Sequence, residues 1–267
     1  MTNWKCILTY DGTPYHGWQV QPSVPTVQGT LAAVIRHVTG ETVLPQGSGR
    51  TDTGVHALAQ VASFALASPI PAANLHRALN RALPASIRIL SITPADAGFH
   101  ARHSARGKTY EYRIFPRLRR ATEEICSPML APYVWDCPWR LDLSLMQLAA
   151  PAILGEHDFT SFAASDPDLT ARQDDVSEPR SSSRRIDASL WTARDDLYTY
   201  RVSGSGFLHH MVRNLVGTFV EIGAGRIAVD SLPRIIAARN RSAAGPTAPA
   251  RGLFLTAVAY DLIDVEY

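Results

Sequence analysis

From the amino end, the apolar positions fall into runs whose period alternates between that of a strand and that of a helix. Trp4 to Tyr10 is dense in apolar and aromatic residues and ends at Asp11-Gly12, which predicts a strand running into a turn. Thr26 is placed as an N-cap ahead of Val27, Leu31, Val34, Ile35 and Val38, which share one helical face, and Gly40 stands where such a helix stops. A short apolar segment near Val43 precedes a second alternating run, in which Val55, Ala57, Ala59, Val61 and Ser63 share one set of strand positions. A helix around Ala73 to Leu83 and a strand from Ile87 to Ile92 complete the order βαββαβ. That is the ferredoxin-like order, which packs two helices on one face of an antiparallel sheet.

From Thr109 the pattern resembles itself. Tyr110 to Phe115 reads as a strand, Leu143 to Leu154 as a helix, and Ile186 to Trp191 and Leu197 to Val202 as strands. Helices follow over His209 to Ile222 and Leu232 to Arg239, then a last strand over Leu253 to Tyr260. The expectation is an α+β protein of two ferredoxin-like (RRM-like) halves, 1–104 and 105–267. Ser165 to Arg185, rich in Asp, Ser, Arg and Pro and without period, reads as a long polar loop.

Composition adds mainly exclusions. With 46% hydrophobic and 19% charged residues over 267, the chain can build an ordinary soluble core. No window is apolar for a transmembrane length and the start lacks a signal peptide, so a cytoplasmic protein with no membrane association is expected. Three cysteines with no Cys-x-x-Cys pair suggest neither a disulfide framework nor a zinc site, and no metal is expected. Net charge is only +2, but Arg102, Arg106, Lys108, Arg113, Arg117, Arg119 and Arg120 cluster against the single acid Glu111. His100, His103, Tyr110 and Tyr112 are interleaved, a composition suited to phosphates and unpaired bases, with a merely solvated face as the plainer reading.

Chemistry concentrates in Gly47-Ser-Gly-Arg-Thr-Asp-Thr-Gly54, just before the second alternating run. Gly47, Gly49 and Gly54 let a partner approach the main chain, so the loop can present Arg50 and Asp52 at a strand mouth. An arbitrary loop Asp is usually a turn former; the neighbouring Arg in a loop with little side-chain bulk is what raises this one. A Walker loop would need Lys before Ser or Thr, and a dinucleotide fingerprint would need Gly where Asp52 stands. Asp52-Thr-Gly54 also spells the aspartic-protease tripeptide, but there is one copy, and Arg50 opposes the shared proton such a dyad requires.

Two further stretches draw notice. Thr13-Pro-Tyr-His-Gly-Trp-Gln19 offers two aromatic rings that either stack on bases or plug the end of a sheet, the plug being favoured. In Phe207 to Phe219, an apolar helical surface surrounds Arg213, which requires an anion, with Asp52 the candidate; His209 and His210 read as ordinary polar groups at the helix start.

These residues together resemble a family. Tyr10-Asp-Gly-Thr-Pro-Tyr-His-Gly-Trp-Gln19, Gly49-Arg-Thr-Asp-Thr-Gly-Val-His56, Phe99-His-Ala-Arg102, Lys108-Thr-Tyr-Glu-Tyr112, Leu154-Gly-Glu-His-Asp-Phe-Thr-Ser-Phe162, His209-His-Met-Val-Arg-Asn214 and Gly252-Leu253 are similar, in order, to the motifs of the bacterial tRNA pseudouridine synthase A family. The resemblance implies isomerisation of uridine to pseudouridine at positions 38, 39 and 40 of the tRNA anticodon arm, without metal or organic cofactor, by a homodimer. It also implies that the halves form one continuous, mixed and mainly antiparallel sheet with the active-site cleft between them. By motif, Asp52 is the catalytic carboxylate, Tyr110 the tyrosine over the target base, Arg213 the partner of Asp52, Leu253 an apolar pocket residue and Arg50 the arginine that helps displace the base. Arg106 and Lys108 are expected to hold the RNA backbone. The chain departs at Thr53, where the family more often has a smaller or basic residue. An ionised Asp can attack C1′, attack C6 or remove the C2′ proton, and the sequence leaves all three open. A catalytically silent RNA-binding module on the same fold is the alternative.

Overall fold

The computed structural model describes residues 1–118, 124–164 and 181–260. In chain order these form β1 (Thr2–Tyr10), α1 (Val27–Thr39), β2 (Gln46–Gly47), β3 (His56–Leu66), α2 (Ala72–Ala82) and β4 (Ile87–Ala95). There follow β5 (Gly107–Pro116), β6 (Trp135–Cys137), α3 (Leu143–Ala149), β7 (Gly155–Asp158), β8 (Ser183–Arg194), β9 (Leu197–Gly204), α4 (Met211–Gly223), α5 (Leu232–Ala238) and β10 (Leu253–Ala259). The class is α+β, with mixed pairing that is mainly antiparallel. Two compact units result: Met1–Tyr110 together with the residues from Leu253 on, and Glu111–Gly252. The sequence reading puts the last strand in the second half, whereas β10 clusters with the first unit.

In the first unit the strands lie in the order β4-β1-β3-β10, with β2 also on β3. β1 runs antiparallel to both β3 (Cys6↔Ala62) and β4 (Cys6↔Ile92), and β10 runs parallel to β3 (Phe254↔His56). Helix α1 begins where expected: Thr26 Oγ1 accepts the Gly29 N–H at 3.2 Å, and Gly40, at φ +76°, ends it with its N–H on Arg36 O. α1 buries Val27, Leu31 and Ile35 and packs against α2, which lies on β4. The alternation foreseen for β3 is weak, because all its residues but Leu58 and Ala65 are buried. A strand flanked on both edges and covered on both faces has no wet side. Part of that cover is the 99–101 segment, where Ala101 N–H donates to Ser63 Oγ and the Tyr260 hydroxyl donates to Ala101 O.

In the second unit, which takes β5 from Glu111 on, the order is β5-β9-β8-β7, with β6 parallel to β5. Trp191 on β8 stacks on Tyr200 of β9 at 4.9 Å, and Phe219 of α4 packs on both rings at 5.9 and 5.1 Å. Every residue of α4 is buried except Arg213 and Glu221.

Three expectations are corrected. The helix foreseen to Leu154 stops at Ala149 and tightens into a 3-10 turn over Ala150–Ile153, because Pro151 cannot donate to Gln147 O. The extended segment near Val43 is not a strand; the short strand is β2, pairing Gln46 and Gly47 with Ser63 and Ala62. Of the polar run from Ser165 to Arg185, residues 165–180 lie outside the described residues, while Ser183, Arg184 and Arg185 belong to β8 and pair with Asp158, His157 and Glu156. Among the described residues no helix is long and apolar enough to cross a membrane.

Candidate active site

In the first unit the loop 47–54 is bound from beneath at the mouth of β3. Ser48 N–H donates to Val61 O and its hydroxyl to Gln60 Oε1 at 2.7 Å, while Gln60 Nε2 donates to Gly49 O at 2.9 Å. Thr51 is buried, its hydroxyl 2.8 Å from the Tyr10 phenol and its carbonyl accepting the Trp18 N–H at 3.0 Å. Gly17, at φ +84°, makes that approach possible: a Cβ there would stand 2.6 Å from Thr51 O. Tyr15 and Trp18 are buried, so the aromatic segment 13–19 is a plug under the loop.

Asp52 follows Thr51 directly and is partly exposed, its carbonyl accepting the Val55 N–H at 3.1 Å. Tyr110 on β5 is 8% exposed, and its phenol is driven well above the ordinary range by burial first, then by the Tyr10 phenol and the Asp52 charge. The fold therefore brings Tyr10 and Asp52 each within electrostatic reach of Tyr110. Burial likewise pushes Tyr10 up to about 12, against the hydrogen bonds from Thr51 and Gln60.

Of the remaining first-unit candidates, Arg50 and Arg106 are exposed, and Arg106 N–H pairs with Ala259 O at 2.8 Å. Lys108 turns toward the loop, since a Cβ on Gly49 would come within 2.7 Å of its Nζ. Leu253 is buried at the start of β10, one residue before Phe254, whose ring stacks on His56 at 4.7 Å.

Arg213 belongs to the second unit. It is half-buried, its Nε donating to Ala248 O at 2.8 Å while its own carbonyl accepts the Ala248 N–H. Beside it, buried Asn214 donates to Phe162 O at 2.7 Å and accepts from Thr247 Oγ1 and Arg241 Nη2 at 2.7 and 3.0 Å. The sequence reading misses Asn214, whose only signal is an amide inside an apolar helix. It also gives no part to Tyr10, Thr51 and Gln60, whose contacts with one another and with the loop are made across the fold.

The basic cluster is reduced by its partners. Arg113 pairs with Glu111 at 2.7 Å, and Arg117 grips Asp136 with two bonds of 2.7 Å, holding that carboxyl below its usual range. Tyr112 is buried with its hydroxyl on Pro249 O, so it is core and offers no base a platform. In the first unit Arg102 and His103 are exposed beside His100, whose pKa is lowered by burial and then by those neighbours. Arg119 and Arg120 lie outside the described residues.

A family model described as tRNA pseudouridine synthase matches residues 7–104 and 149–261, segments drawn from both units. The chain belongs to the tRNA pseudouridine synthase family. Its similarity to individual members is close to full length: 50% identity over 257 residues with "tRNA pseudouridine synthase A" of Solibacter usitatus (strain Ellin6076), covering 96% of this chain and 98% of that protein. Proteins of the same name from Acetivibrio thermocellus and Moorella thermoacetica are each 42% identical, covering 97% and 96% of this chain and 100% and 98% of their own length. Within the segments matched to the tRNA pseudouridine synthase family lie Arg50, Asp52, Arg213 and Leu253, whereas Arg106, Lys108 and Tyr110 fall between them.

Proposed function

We propose that this chain isomerises uridine to pseudouridine at positions 38, 39 and 40 of the tRNA anticodon arm, with Asp52 as the catalytic carboxylate. Action as a tRNA pseudouridine synthase, an isomerase, follows from family membership; the position in tRNA and the roles of single residues are our reading. One arrangement carries that reading: Asp52 stands on a loop tied down at its neighbour Thr51 by the buried Tyr10 phenol, in the same unit as the buried Tyr110 on which its charge acts.

The reaction breaks the N1–C1′ bond, turns the uracil and forms C5–C1′; a proton leaves C5 and N1 gains one, with no net change in electrons. Asp52 would act at the sugar or the base, with Arg213 as its partner. Tyr110, held neutral by burial, would lie over the detached uracil and keep it from diffusing away. Arg50 would stabilise the displaced nucleotide, Leu253 would wall the pocket, and Arg106 and Lys108 would hold phosphates. No cofactor is required by this scheme, and a cytoplasmic homodimer is its setting.

The test is release of tritium from tRNA labelled at uridine C5. Wild type is expected to release label and Asp52→Ala to lose release by at least about a thousandfold with tRNA affinity retained. Turnover by Asp52→Ala would remove Asp52 from its role, and tight binding without release by wild type would instead support a silent RNA-binding module.

A further inference from the structure

The Tyr10 phenol bears on the loop carrying Asp52 at two points, on Thr51 directly and on Ser48 and Gly49 through Gln60. It meets the Thr51 hydroxyl at 2.8 Å in a buried pair, and it interacts with Gln60, whose amide holds Gly49 O and whose carbonyl holds the Ser48 hydroxyl. Tyr10 is itself packed in place: it ends β1, is 3% exposed, and lies 6.2 Å from the ring of Trp18, which stands close against Gly47. Thr51 precedes Asp52 without an intervening residue, so a rotation of the Thr51 backbone is passed directly to the carboxylate. Two hydroxyls buried together satisfy each other, and loss of either removes the side-chain tie at Thr51 while the bonds that hold Ser48, Gly49 and the Thr51 carbonyl remain.

We propose that the Tyr10–Thr51 hydrogen bond is a positioning device for Asp52, which makes Tyr10 and Thr51 positioning residues of the reaction. The inference rests on the proposed role of Asp52. Alignment of a reacting group to within a fraction of an ångström governs the chemical step more than substrate binding. The signature is therefore a fall in kcat with KM preserved, and coupling between the two residues.

The experiment measures tritium release from C5-labelled tRNA, with thermal melts alongside, for Tyr10→Phe, Thr51→Val, the double variant, Thr51→Ser and Asp52→Asn. Tyr10→Phe and Thr51→Val are each expected to lower kcat about five- to tenfold, the rate equivalent of one hydrogen bond, with KM within about twofold. The double variant should lose no more than either single one, and Thr51→Ser should restore turnover. Wild-type kcat in Tyr10→Phe and Thr51→Val, multiplicative losses in the double variant, or a change confined to KM or melting temperature would overturn the inference. If Asp52→Asn is inactive while the other variants turn over normally, only the positioning role fails; if Asp52→Asn retains full activity, the reading of Asp52 fails and the inference with it.

Discussion

Glycines separate two kinds of constraint at the level of single residues. Gly40 adopts φ +76° with nothing within 4 Å of an added Cβ, whereas a Cβ on Gly217 would sit on the carbonyl of Pro246. Gly40→Ala is expected to cost about 1 kcal/mol through backbone strain alone. Gly217→Ala must push the 246–248 segment off α4 and should cost about 2 to 4 kcal/mol, measured as the fall in urea midpoint at constant slope. Equal losses in the two variants would contradict this division. Gly40 was legible from its place after a helical stripe; Gly217 was not, because Pro246 is distant in the chain. The same holds for Asp52: its loop is visible as a run of small residues, but the Tyr10 hydroxyl beneath it arrives from another strand.

Individual elements were legible where their ends are set by local chemistry. Thr26 and Gly40 bound α1 as foreseen, and the βαββαβ order is present. What failed were ends decided by a single proline, as at α3, and pairings made with distant partners, as for Ser183 to Arg185 in β8. Helix α4 depends on a polar tie that its apolar pattern conceals. Asn214→Ala removes the partner of Phe162 O, Thr247 and Arg241 at once, and is expected to cost about 2 to 4 kcal/mol. A melting temperature within a degree of wild type would show that water replaces the amide.

For the molecule as a whole, buried phenols set an alkaline limit. Burial raises Tyr10, Tyr110, Tyr112, Tyr200 and Tyr260 above 10.0, Tyr10 to about 12. Each favours the folded state only while neutral, so its contribution is complete below the unfolded pKa near 10 and is lost as pH rises through the folded value. For Tyr10 the two-unit difference amounts to ~3 kcal/mol. Unfolding followed by circular dichroism should therefore begin above about pH 10, with phenolate absorbance at 295 nm from these five appearing together with the loss of structure. Their ionisation near pH 10 in an intact fold would refute it.

The return of β10 to the first unit orders events during synthesis. The neighbour that β3 receives through Phe254 and Leu255 is translated only after residues 111–252 have been made. Until then β3 lacks its partner at His56 and Ala57, next to the loop bearing Asp52, so a nascent chain holds that loop against an incomplete sheet. Maturation of that region is thus timed by β10, and a premature stop within the second unit would yield an exposed, association-prone edge in place of a smaller working domain.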